Sequence, residues 1–119
     1  MENYVKRNFT LYESEINDAE FTRIIGNISF PMYSLGFPYN DLSVTALNFA
    51  IEKSSDLYNE VLDFSHNTKL TAIGGSKTMN LINNNPSIKK LYLRGCEVLA
   101  DDQETFFDSL SSNLVISEL

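Results

Sequence analysis

The chain contains the segment PSIKKLYLRGC at residues 86–96, in which we predict a short strand, 91–93, followed by a sharp turn at Gly95-Cys96. Variants of its second half recur as LGFPYN at 35–40, LDFSHN at 62–67 and, more weakly, FTLYES at 9–14. Each copy sets one residue between two large apolar residues and has a small polar residue or cysteine three places later. The copies begin 26, 27 and 29 residues apart, and such a period predicts a repeat architecture.

The repeats extend beyond the strand into the helix that follows it. Leu42, Leu47 and Ile51 stand where Ile16, Phe21 and Ile25 stand 26 residues earlier, so strand, turn and helix recur together. We expect one domain of 119 residues, with repeats near 5–31, 32–58, 59–87 and 88–115 and a partial fifth from 116. The predicted strands are 9–11, 35–37, 62–64, 91–93 and 116–119.

Polar residues mark where the four helices are expected to begin. Asp18, Ser43 and Ser76 are good caps for the first three helices, because their side-chain oxygens can accept a hydrogen bond from a free backbone N–H. Asp101 and Glu104 have the spacing of a capping box before the fourth helix.

The predicted core follows from the alternation of side chains along a strand. One strand and one helix cannot bury their apolar faces alone, so neighbouring repeats must stack. Full burial of one large apolar side chain is worth about 1.5–3 kcal/mol. The strand residues expected to point inward are Leu35, Phe37, Leu62, Phe64, Leu91 and Leu93.

This unit, apolar-x-apolar-x-x-Asn/Cys-x-apolar followed by a helix, resembles the leucine-rich repeat. The period near 28 with a full helix per repeat is similar to the ribonuclease-inhibitor-like subclass, which also occurs in innate immune sensors and in effectors secreted by intracellular bacteria. The resemblance covers residues 5–119. The first copy departs from the pattern, with Phe9 for leucine and Ser14 for asparagine, and the fourth has Cys96, which this subclass commonly accepts. It implies an α/β leucine-rich repeat solenoid, a horseshoe segment of about four repeats with a parallel inner sheet and outer helices.

The resemblance also implies roles for residues at the end of each strand. Asn40, Asn67 and Cys96 are expected to satisfy backbone groups that the turns would otherwise bury unpaired. The strand residues between the buried ones would form the concave face, through which solenoids commonly bind. Tyrosine and arginine are frequent at the energetic centres of interfaces. The predicted partner-binding residues are Tyr12, Glu13, Tyr39, Asp63, Ser65, His66, Tyr92 and Arg94.

Composition narrows the class of partner. A formal net charge of −7 argues against nucleic acid and anionic membranes, whose binding needs Lys and Arg. Cys96 is the single cysteine, so an internal disulfide is impossible, which fits a reducing compartment. No apolar run is long enough for a membrane span, and the first residues lack the apolar core of a signal peptide.

No catalytic or cofactor motif stands out. Asp63, Ser65 and His66 lie within four residues, but strand alternation turns His66 away from the other two, so no relay is expected. One cysteine and one histidine cannot supply the usual four zinc ligands. Residues 73–78 lack the spacing of a phosphate-binding loop. We therefore expect no enzyme activity, no metal and no cofactor.

The sequence favours a protein–protein interaction module, either a bacterial effector or an intracellular regulator. We expect it in the cytoplasm, or in a host cytosol if it is an effector. The alternative is a fragment or recognition segment of a larger ligase, sensor or effector whose activity lies elsewhere. The bare layer ending at Leu119 leaves a homo-oligomer paired through the C-terminal repeat open as well.

Overall fold

Short strands alternate with helices along the chain. The computed structural model describes residues 7–70, 76–96 and 115–117, and the α/β class is confirmed. In chain order the elements are β1 (Asn8–Thr10), α1 (Asp18–Gly26), β2 (Ser34–Gly36), α2 (Val44–Leu57), β3 (Val61–Asp63), α3 (Ser76–Asn83), β4 (Lys90–Tyr92) and β5 (Val115–Ser117).

The strands form one parallel sheet in the order of the sequence, β1-β2-β3-β4-β5. Equivalent residues of successive copies lie opposite one another, so that Leu35 pairs with Leu62, Leu62 with Leu91, and Leu91 with Ile116. The expected side-by-side placement of the copies is therefore confirmed.

Each of the first four strands begins and ends one residue earlier than predicted, because the residue before the first apolar position already pairs. Backbone hydrogen bonds nevertheless continue past the strand ends. The Phe37 N–H donates to Asp63 O at 2.8 Å, and the Phe64 N–H donates to Tyr92 O at 2.9 Å.

The core lies on one side of this sheet. All six strand residues predicted to point inward are 0–1% exposed. Helix side chains pack directly on them, with the Phe21 ring 4.7 Å from the Phe37 ring and 5.4 Å from the Phe64 ring. Leu47 from α2 and Ile82 from α3 belong to the same cluster. All three described helices therefore contribute to the apolar layer on this side of the sheet.

The cap of α1 differs from the prediction. Asn17, and not Asp18, is the cap: its Oδ1 accepts from the Glu20 N–H at 2.9 Å, and the Glu20 carboxylate accepts from the Asn17 N–H at 3.2 Å. Asp18 instead accepts from the N–H of Ser43 at 2.8 Å and from its hydroxyl. Asp18 is thus used to join the start of α1 to the start of α2.

The predicted cap of α2 is confirmed: the Ser43 hydroxyl accepts from the Thr45 N–H at 3.3 Å. Ser76 is the first helical residue of α3, so the cap position before it lies outside the described residues. The predicted cap Asp101 and its helix lie outside the described residues. Among the described helices, none combines the length and the hydropathy that a membrane span requires.

Candidate functional site

A left-handed residue occurs in the turn after each of the first four strands. The φ angles are 50° at Glu13, 58° at Tyr39, 61° at His66 and 78° at Gly95. Non-glycine residues rarely adopt this conformation, so its recurrence at the repeat period means that every copy makes the same turn. The turns also bond to one another: the Tyr39 N–H donates to Ser65 O at 3.0 Å, and the His66 N–H to Arg94 O at 2.7 Å.

Two buried amides hold these turns together. Asn40 Oδ1 accepts from the backbone N–H groups of Ser14 and Ile16, at 2.8 and 3.0 Å. One copy later, Asn67 Oδ1 accepts in the same way from Asn40 and Leu42, at 3.2 and 3.0 Å. The role expected for Asn40 and Asn67 is therefore confirmed, and each amide ties its own turn to the preceding one.

Cys96 has the same position in the fourth copy, but its thiol is a weaker hydrogen-bonding group than an amide. Its thiol donates to Phe64 O at 3.2 Å. Burial raises the pKa of the Cys96 thiol, with a smaller upward contribution from the Asp63 carboxylate and opposing ones from the backbone N–H groups of Asn67 and His66. A protonated thiol can donate a hydrogen bond, so Cys96 has the structural role expected of it.

Three predicted partner-binding residues are joined by ring contacts to Tyr39. The Tyr39 ring is tilted against Tyr12, with centroids 5.1 Å apart and planes 51° apart, and is stacked on His66, at 4.3 Å and 17°. Tyr12 is 57% exposed and Tyr39 is 41% exposed. We call Tyr12, Tyr39 and His66 the aromatic stack; it crosses the turns of the first three copies.

Gly95 was not among the predicted residues, yet the stack depends on it. A Cβ atom at Gly95 would lie 2.4 Å from His66 Nδ1, so only glycine leaves room for the imidazole. Aligning the four copies could have identified it, because Gly95 stands where Glu13, Tyr39 and His66 stand in the other copies.

The side of the sheet away from the core carries two more predicted residues, Asp63 and Tyr92. They lie in one row with Thr10 and Gly36 across β1 to β4. Thr10 is exposed, whereas Asp63 and Tyr92 are half-buried. A Cβ at Gly36 would lie 3.2 Å from Thr10 Oγ1 and 3.6 Å from Asp63 Cβ, so the row is closely spaced. We call this row and the exposed Arg94 after it the open face.

The side chains of Asp63, Ser65 and His66 each contact a different group. Asp63 Oδ1 accepts from the Ser65 N–H at 2.9 Å, and Ser65 Oγ accepts from the Arg94 N–H at 3.2 Å, while His66 stacks on Tyr39. Ser65 is only 9% exposed, so it offers a partner little surface and mainly holds the next turn.

Charge is divided unevenly among the turns. Residues 11–17 and 37–43 carry the exposed acidic residues Glu13, Glu15 and Asp41 and contain no lysine or arginine, whereas Arg94 lies in the turn of the fourth copy. Within the described ranges, no group of three or more His, Cys, Asp or Glu side chains is placed to hold a metal ion.

Comparisons with protein-family models, curated proteins and solved structures found no match to this chain. Its function is therefore inferred from its own residues and geometry.

Proposed function

We propose that the chain is a leucine-rich repeat protein of the ribonuclease-inhibitor-like subclass and that it binds a partner protein through the open face and the adjoining turns. The observation that carries this proposal is the register of the sheet. Equivalent residues of successive copies pair across every strand, Phe9 with Leu35 at one end and Leu91 with Ile116 at the other. Stacked copies of one strand–helix unit are the basis of a solenoid.

The two sides of the sheet support different roles. One side is closed by helix packing and is fully buried at residues such as Leu35 and Leu62. The other side presents polar and aromatic groups, including Asp63 beside Tyr92 in the register of β3 and β4. A rigid, extended surface with tyrosine and arginine suits protein recognition better than catalysis, which would need a cleft with converging reactive groups.

The side-chain hydrogen bonds of Asn40 and Asn67 favour a surface that is already ordered before the partner binds. The side chains of Asn40 and Asn67 bond to the backbone of the turns that follow β1 and β2. A surface that is already ordered loses little conformational freedom when a partner binds, and less of the interaction free energy is lost to ordering.

The test compares two matched double variants in affinity capture from cell lysate followed by mass spectrometry. Tyr92→Ala with Arg94→Glu alters the open face, whereas Tyr58→Ala with Arg23→Glu changes the same residue types at exposed positions, the C-cap of α2 and the last turn of α1. We expect the first variant to lose captured proteins that the wild type and the control retain, with unchanged circular dichroism. Equal capture by all three would overturn the proposed site.

A further inference from the structure

We infer that the aromatic stack, together with the carboxylates of Glu13, Glu15 and Asp41, is a contact site for arginine side chains of the partner. This inference deepens the proposed function and rests on it, because the turns that carry the stack adjoin the open face. The partner it implies is a protein segment rich in arginine.

The rings of the stack are accessible and already ordered. Tyr12 and Tyr39 are 57% and 41% exposed although each packs against a neighbouring ring. His66 stacks on Tyr39, with ring centroids 4.3 Å apart. Side chains held in this way have already lost rotamer freedom, so contact with a partner costs them little further entropy.

The backbone beneath the rings is equally constrained. Tyr39 and His66 occupy the left-handed turn position, and the neighbouring Asn40 and Asn67 amides lock those turns. Glu15 has a second left-handed conformation, with φ 56°, that its counterparts Asp41 and Thr68 do not share. Strained non-glycine residues often occur at binding sites, where the surrounding structure holds a side chain in one direction.

Charge selects the kind of residue that fits. Three exposed carboxylates lie on the two turns that carry Tyr12 and Tyr39, and those turns contain no basic residue. The whole chain has a net charge of −7, so a basic segment is attracted from a distance as well. Arginine fits better than lysine, because its planar guanidinium stacks on an aromatic ring while its N–H groups donate to carboxylates.

The experiment measures binding of the full chain to fluorescein-labelled peptides by fluorescence anisotropy at low salt. The probes are peptides of alternating arginine and glycine, lysine and glycine, and glutamate and glycine. We expect the wild type to bind the arginine peptide tightest and the glutamate peptide least. Failure to bind the arginine peptide, or equal affinity for the arginine and lysine peptides, would overturn the inference.

Ring variants test the stack itself. Tyr12→Leu with Tyr39→Leu should weaken arginine-peptide binding by about tenfold and remove the preference over lysine. Tyr12→Phe with Tyr39→Phe keeps the rings and should bind as the wild type does. The control Tyr58→Leu removes a tyrosine that is 66% exposed elsewhere and should change nothing. If the leucine pair binds as well as the phenylalanine pair, the rings do not take part.

Neutral variants test the carboxylates. Glu13→Gln, Glu15→Gln and Asp41→Asn together should weaken binding of both basic peptides, whereas Glu52→Gln with Asp56→Asn, exposed on α2, should have a smaller effect. If both sets of variants weaken peptide binding equally for each charge removed, only the net charge matters, and the proposed arginine site is overturned. If the peptide result fails while Tyr92→Ala with Arg94→Glu still abolishes capture, this inference fails and the proposed function stands.

Discussion

The imidazole of His66 stacks on the phenol ring of Tyr39, with centroids 4.3 Å apart and planes 17° apart. The two residues hold the same position in consecutive copies, and both lie in the left-handed region at φ 61° and 58°. Equal backbone conformations in neighbouring turns point equivalent side chains in the same direction. The contact between Tyr39 and His66 is therefore a consequence of the repeat, and its chemistry depends on which residue each copy carries there.

Gly95→Ala should destabilise the protein. The residue has φ +78°, and an added Cβ would lie 2.4 Å from His66 Nδ1. The left-handed conformation alone costs a non-glycine residue about 1–2 kcal/mol, and displacement of the imidazole adds to this. Urea denaturation should show the loss. The control is Gly26→Ala, where a Cβ meets nothing within 4 Å; if both variants lose equal stability, the steric explanation is wrong.

Asn67→Ala should be the most damaging single change among the turn residues. Its amide accepts from Asn40 and Leu42 and donates to Phe37 O and Phe64 O at 2.9 Å, all at buried sites. Each buried backbone group left unpaired costs about 1–3 kcal/mol, so the free energy of unfolding should fall by several kcal/mol.

Equilibrium denaturation of Asn67→Ala should be compared with that of Asn84→Ala, which removes an exposed asparagine side chain. A loss no larger than in this control would contradict the role assigned to the buried amide.

Tyr58→Gly should stabilise the protein. Tyr58 is the C-cap of α2, with φ 52°, and 66% of its surface is exposed, so the strained backbone is offset by few contacts. Glycine adopts this conformation freely, and the free energy of unfolding should rise by about 0.5–1 kcal/mol. Tyr58→Ala keeps the conformational cost and should give no such gain. A glycine variant that melts at or below the temperature of the alanine variant would argue against cap strain.

The Cys96 thiol should make stability depend on pH. Burial raises its pKa in the folded protein, so the native state keeps the proton at a pH where the unfolded chain has lost it. The contribution of the thiol to the free energy of unfolding should therefore be fully present below about pH 8.5, the ordinary pKa of cysteine. It should be lost as the pH rises from there through the folded pKa.

Urea melts of the wild type and of Cys96→Ser between pH 7 and about pH 9.5 check this, since the upper limit lies beyond the ordinary cysteine pKa. The serine variant should lose the part of the slope that the thiol contributes. Identical pH dependence in the two proteins would exclude a contribution from Cys96.

The predicted cap of α1 was wrong, because two neighbouring residues are both suited to the cap position. Asn17 and Asp18 are both good helix caps, but only Asn17 has a glutamate three residues later, and this capping-box spacing distinguishes the two. What the local sequence does not reveal is that the Asp18 carboxylate accepts from the Ser43 N–H in the next repeat. Likewise, Tyr12 corresponds by position to Pro38 and not to Tyr39, so aligning the copies does not pair the two tyrosines that meet in space.

The amino-acid sequence by itself determined the period, the strand–helix order and the residues of the core, because Leu35, Leu62 and Leu91 can be buried only if the copies stack in register. Tertiary structure alone decided which side chains meet at the surface. The aromatic stack and the exposure of its rings follow from left-handed turns held by Asn40 and Asn67, and those bonds form only after neighbouring copies have come together.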